Sequence, residues 1–128
     1  MIRKVLLVDD EADIRKIASL TLTHIGGWEV VQASSGPEAL EKAAREQPDV
    51  ILLDVMMPGM DGPSTLEGLR ANAATASIPV VFVTAKIQGS ERERISLLGA
   101  AGIIAKPFDA MHLSDEVRRI VEGVAHER

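Results

Sequence analysis

Five short, almost uninterrupted apolar runs alternate with helix-length segments along this chain, and that alternation limits the fold more than any other feature. The runs are Lys4 to Val8, Glu29 to Ala33, Val50 to Leu53, Val80 to Val83 and Gly102 to Ala105. A strand with one wet face alternates polar and apolar residues; a continuous apolar run suits a strand buried on both faces of a parallel sheet. The segments between repeat their apolar residues at helical spacing. Ile14, Ile17, Ala18, Leu22 and Ile25 mark the buried face of the first helix, which Gly26-Gly27 stops. Ala39, Leu40, Ala43 and Ala44 mark the second, with Ser35 and Glu38 as a capping box and Pro48 as its close. Leu66 and Leu69 mark a third helix from about Pro63 to Asn72, and Ile95 and Leu98 a fourth with a Ser90–Glu93 capping box. Leu113, Val117, Ile120, Val121 and Val124 mark a fifth, with Asp109 as its N-cap.

Five strand–helix units imply a parallel sheet with right-handed crossovers. A closed eight-stranded barrel needs about twice this length. The expected fold is therefore α/β, one domain over residues 1–128, with a doubly wound five-stranded sheet of order 2-1-3-4-5 and five helices.

Composition narrows the functions open to such a fold. The net charge of −5 argues against general nucleic-acid binding, which needs a basic surface, and three aromatics (Trp28, Phe82, Phe108) offer no stacking platform. There is no cysteine, hence no disulfide, thiol chemistry or thiolate-held metal. No apolar run approaches the ~20 residues that span a membrane, and the five-residue run after Met-Ile-Arg-Lys is too short for a signal peptide. A cytoplasmic protein is expected.

Four of the five strands end in a reactive polar group: Asp9-Asp10, Asp54, Thr84 and Lys106. In the order 2-1-3-4-5 these strands are contiguous, and ligands of open α/β sheets bind at the carboxyl ends of strands. Each residue alone has a plainer role: a helix cap, a loop carboxylate, a strand-end hydroxyl, a surface lysine. Together they form one rim. Three converging carboxylates repel one another, and a hard divalent cation such as Mg²⁺, or Mn²⁺, relieves that repulsion. Such an ion also neutralises a phosphoryl group in transfer. Lys106 adds a positive charge for the same anion, Thr84 a hydroxyl, and Ala85 leaves space. Asp54 becomes a candidate nucleophile that forms an acyl phosphate. The Met56-Met57 pair reads as turn packing, and His24, His112 and His126 as surface or helix-terminal residues.

The chain resembles the receiver domains of two-component response regulators, in their CheY-like, single-domain form. The resemblance rests on Val5-Leu6-Leu7-Val8-Asp9-Asp10-Glu11, Ser35-Gly36-Pro37-Glu38-Ala39-Leu40, Asp49 to Gly62, Val83-Thr84-Ala85 and Lys106-Pro107-Phe108. It implies a phosphorylation-activated switch in which Asp54 is the phosphoacceptor. Asp9, Asp10, Asp54 and the backbone carbonyl of Met56 would hold the cation. Thr84, Ala85 and Lys106 would bind and sense the phosphate, and Met56 and Lys86 would tune dephosphorylation. The implied donor is a sensor histidine kinase or histidine phosphotransfer protein, and the implied output is a protein target read at the surface of helix four, strand five and helix five. The only catalysis implied is of its own phosphorylation and dephosphorylation. Members of this family commonly have a cis bond at the position of Lys106-Pro107, and many carry Tyr or Phe three residues before the lysine, where this chain has Ile103. Switching is therefore expected to rest on Thr84 rather than on a swinging ring. The chain ends soon after the fifth helix, leaving no room in it for an output domain; a stand-alone regulator and a piece of a longer one both fit. A haloacid-dehalogenase-like phosphatase also uses an aspartyl phosphate, but with an Asp-x-Asp nucleophile pattern on the first strand that Asp9 to Asp13 lack. A flavodoxin-like cofactor binder would set its phosphate against an acidic rim.

Overall fold

A computed structural model describes residues 1–85 and 89–126. Strand β1 (Lys4–Val8) leads to α1 (Ala12–His24), β2 (Glu29–Ala33) to α2 (Gly36–Glu46), and β3 (Val50–Asp54) to α3 (Gly62–Ala71). Strand β4 (Val80–Thr84) leads to α4 (Gly89–Leu97), and β5 (Gly102–Ala105) passes through a 3₁₀ turn at Ala110–His112 to α5 (Leu113–His126). All four strand pairings are parallel, and the sheet order is β2-β1-β3-β4-β5. The expected fold class and strand order are both present.

The continuous apolar strands are explained by two cores, one on each face. Leu6, Val8, Ile51, Leu53, Val80 and Phe82 pack against Ala39, Ala43, Leu66, Leu69 and Ile95 of α2, α3 and α4. Val5, Leu7, Val50, Leu52, Val81, Val83 and Ile104 pack against Ala18 and Leu22 of α1 and Leu113 and Val117 of α5. In β3 and β4, buried along their whole length, alternate residues serve opposite layers, so neither parity is free to be polar before the strand end, whereas the edge strand β2 leaves Glu29 and Gln32 exposed.

The helices correct the sequence reading in four places. Only Ala18 and Leu22 of the expected α1 face are buried; Ile17 and Ile25 are 50% and 45% exposed. Glu38 does not bond the N–H of Ser35 as a capping box would, but that of Ser34, while Ser35 caps the N–H of Glu38. Ser90 lies inside α4, which begins at Gly89, and so is not its cap. Asp109 caps the 3₁₀ turn that precedes α5 rather than the helix itself. The side chain of Val124 lies outside the described residues. Two residues unmarked in the sequence close helix ends. Gln47 takes a left-handed conformation after α2 and sends its side-chain amide to the carbonyls of Ala44 and Ala74. Arg70 donates to the carbonyls of Ala76, Ile78 and Gly99, tying α3 to the entry of β4 and the exit of α4.

Candidate functional site

Strand register builds the site. Val8 pairs with Leu53, so the next residues along, Asp9 and Asp54, emerge side by side from the centre of the sheet. Asp54 pairs with Val83, which places Thr84 one residue further out, and Thr84 pairs with Ala105, which sets Lys106 beyond it. The N–H of Lys106 bonds the carbonyl of Thr84 at 2.8 Å, fastening the last two strand ends together.

Asp9, Asp10 and Asp54 each bring a carboxylate oxygen within 4.8 Å of the other two. Asp9 and Asp54 are buried and Asp10 is exposed. The Lys106 ammonium lies between the buried pair, 2.7 Å from Asp9 Oδ2 and 3.5 Å from Asp54 Oδ1. The Lys106–Pro107 bond is cis, as expected. Asp9 is heavily engaged: Oδ1 accepts the N–H of Glu11 at 2.8 Å and Oδ2 the lysine. Asp54 accepts the N–H of Met56 at a longer 3.3 Å.

The electrostatics follow. Burial, and then the charge of Asp9, push the carboxyl of Asp54 up to about 6; Lys106 and the Met56 N–H offset part of this. The carboxyl raised in this way belongs to the candidate nucleophile. Burial opposes the charged form of Lys106, but its bond to Asp9 and the charges of Asp54 and Asp9 outweigh burial and raise its pKa. Asp49, at the opposite edge of the sheet, shows the contrast. Burial works against its charge, yet the N–H groups of Lys4 and Arg3 hold its carboxyl below the usual range.

The other expected residues lie at different depths. Thr84 is buried at the end of β4, and Ala85 is exposed beside it. Met57 is buried in the core, whereas Met56 is 66% exposed. Ile103 is half-buried and packs against the core of the α2–α3–α4 face. Lys86 lies outside the described residues. One neighbour went unmarked in the sequence: Arg15 of α1, whose Nη1 donates to the backbone carbonyl of Asp9 at 2.5 Å. An arginine at the polar border of an amphipathic helix carries no signal of such a contact.

The donor set fits a hard divalent cation: three carboxylates, no sulfur or imidazole ligand, and one ligand open to solvent so that bound water can be retained. The same rim leads into an apolar groove of about 440 Å³ bounded by Ile14, Ile17, Ala85, Lys106, Pro107 and Phe108.

Comparison with known proteins agrees with this geometry. Residues 5–118 match the family described as the response regulator receiver domain. The chain is 43% identical over 128 residues to the response regulator PleD of Caulobacter vibrioides, covering 94% of this chain and 26% of that protein. It is 40% identical over 118 residues to the probable transcriptional regulator ycf27 of Guillardia theta, covering 92% of this chain and 45% of the relative. The chain thus spans less than half the length of either. Among solved structures, the chemotaxis protein CheY4 of Vibrio cholerae superposes with a TM-score of 0.86 at 34% identity, over 94% of this chain and 99% of that one. The chain belongs to the receiver domains of two-component response regulators.

Proposed function

We propose that Asp54 is the phosphoacceptor of this receiver domain and takes its phosphoryl group from a phosphohistidine on a sensor kinase or phosphotransfer protein. The observation that carries this reading is the convergence of Asp9, Asp10 and Asp54 within 4.8 Å, with the Lys106 ammonium between two of them. An oxygen of ionised Asp54 attacks phosphorus, the P–N bond to the donor imidazole breaks, and the imidazole leaves with the bonding pair and takes up a proton. Asp9, Asp10, Asp54 and the carbonyl of Met56 would hold Mg²⁺, or Mn²⁺, which when bound offsets negative charge on the phosphoryl oxygens. Lys106 needs to turn only from Asp9 toward Asp54 to pair with the same group. The Thr84 hydroxyl, at the end of the neighbouring strand and beside the small Ala85, would follow the phosphoryl group and report its presence. Ile103 has no hydroxyl to report that movement, so Thr84 carries the switch.

A donor histidine must come within bonding distance of Asp54, so its carrier has to cover the adjoining surface. The apolar groove that includes Ile14, Ile17 and Phe108 supplies that seat, and the exposure of Ile17 is then functional. A protein target reads the altered surface of α4, β5 and α5. Several relatives are named as transcriptional regulators and extend well beyond the receiver; the acidic charge of this chain favours contact with protein over contact with nucleic acid. A cytoplasmic site of action goes with this reading, since phosphohistidine donors are charged from ATP. Among the described residues no helix is long and apolar enough to cross a membrane.

Incubation with acetyl phosphate and Mg²⁺ tests the assignment. Mass spectrometry should show one phosphoryl group per chain, absent without Mg²⁺ and absent from Asp54→Asn. Labelling that survives Asp54→Asn, or multiple turnover of a phosphomonoester, would overturn it.

A further inference from the structure

Asp9 is held by its main chain as well as by its carboxylate. Its N–H donates to the carbonyl of Ala33 at 3.2 Å, and its own carbonyl accepts Arg15 Nη1 at 2.5 Å. Its Oδ1 accepts the N–H of Glu11 at 2.8 Å. Glu11 is the N-cap residue of α1, yet its side chain makes no capping bond. The turn from β1 into α1 is therefore not fastened by a conventional cap. Arg15, one helical turn further on, reaches back over the turn and closes it. Removing that grip takes away the donor that Arg15 brings to the Asp9 carbonyl and, with it, one restraint on the peptide that joins Asp9 to Asp10.

On this basis we infer that Arg15 is a positioning residue for the acidic site: by holding the carbonyl of Asp9 it fixes the Asp9–Asp10 turn in the geometry that presents both carboxylates to a divalent cation. The inference rests on the cation-dependent reading of the site. It runs against simple electrostatics, which makes it decidable. A positive guanidinium beside the rim repels a cation, so if Arg15 acted only through its charge, removing it would tighten cation binding. If it acts by position, removing it loosens binding despite the lost repulsion.

The experiment measures Mg²⁺ affinity of the full chain by calorimetry for wild type, Arg15→Met and Arg15→Lys. Metal-free amide exchange at Glu11 and the melting temperature are recorded alongside. Arg15→Met should bind Mg²⁺ about tenfold more weakly, the size typical of losing a group that orients a metal ligand. Its Glu11 amide should exchange faster while amides of Val50 and Val80 keep their rates. Arg15→Lys keeps the charge and can still reach toward the carbonyl, so it should fall between the two in both readouts. If Arg15→Met does not fold, Arg15→Lys decides alone, and it must bind Mg²⁺ more weakly than wild type. Unchanged or tighter Mg²⁺ binding in a folded Arg15→Met overturns the inference and leaves the phosphoacceptor assignment intact. A wild-type chain that takes no Mg²⁺ overturns both.

Discussion

Asp54 is held in a place that disfavours its charge, so neutralising it should stabilise the metal-free fold while abolishing its chemistry. The carboxyl stands at about 6 against an ordinary 3.8. That gap corresponds to about 3 kcal/mol at 25 °C, an upper figure for what ionised Asp54 costs the native state. In Asp54→Asn the amide oxygen can still accept the N–H of Met56, which lies 3.3 Å from Asp54 Oδ1. Lys106 keeps its 2.7 Å bond to Asp9. We expect a gain of roughly 1–3 kcal/mol at pH 8 in EDTA, and for a domain of this size roughly 4 °C in melting temperature for each kcal/mol. The sign with pH is fixed. A carboxyl whose folded pKa is raised binds its proton more tightly in the native state, so its stabilisation is present below 3.8 and is lost as pH rises through about 6. The advantage of Asp54→Asn should therefore shrink as pH falls through about 6 and vanish near 3.8. Saturating Mg²⁺ should also erase it, because the cation binds and stabilises the wild type more than the variant. Thermal melts across pH, with and without Mg²⁺, measure all of this. Equal melting temperatures at pH 8 in EDTA, or an advantage that grows on acidification, would refute the reasoning.

Lys106→Met should raise the carboxyl of Asp54 further, since Lys106 is the main group lowering it, and should slow labelling by acetyl phosphate at least tenfold; carbon-detected NMR titration of Asp54 and labelling rates check the two parts. Met56→Asn with Lys86→Glu should speed loss of the phosphoryl group at saturating Mg²⁺, because an amide and a carboxylate can orient an attacking water where an exposed thioether cannot, as read from the decay of phosphorylated protein after donor removal. Gly62→Ala should destabilise the fold by roughly 2 kcal/mol or more and impair labelling; its new methyl would sit 2.4 Å from the backbone oxygen of Asp54 and 2.8 Å from the ring of Phe82. Comparison of free protein with its fluoroberyllate adduct by NMR should place the largest changes at Thr84 and the loop after it, with Ile103 staying half-buried against the core.

The sequence by itself determined the sheet, its strand order and which residues gather at its carboxyl edge. Continuous apolar runs such as Val50 to Leu53, too short for helices and bounded by turn residues, suit strands covered on both faces, and parallel crossovers then bring the ends Asp9, Asp54, Thr84 and Lys106 to one rim. What the sequence left open was decided by contacts across the fold. Helical spacing names an apolar stripe on α1 but cannot say that Ile17 and Ile25 would meet solvent, because that depends on where α5 and the Lys106 loop come to lie. Ser90 and Asp109 are good capping residues, yet the register of the incoming loop sets which turn they cap. The pairing of Lys106 with Asp9 at 2.7 Å rather than with Asp54 at 3.5 Å depends on side-chain reach across three strands. The grip of Arg15 on the carbonyl of Asp9 involves a backbone atom, and every residue type carries one, so no sequence pattern marks it.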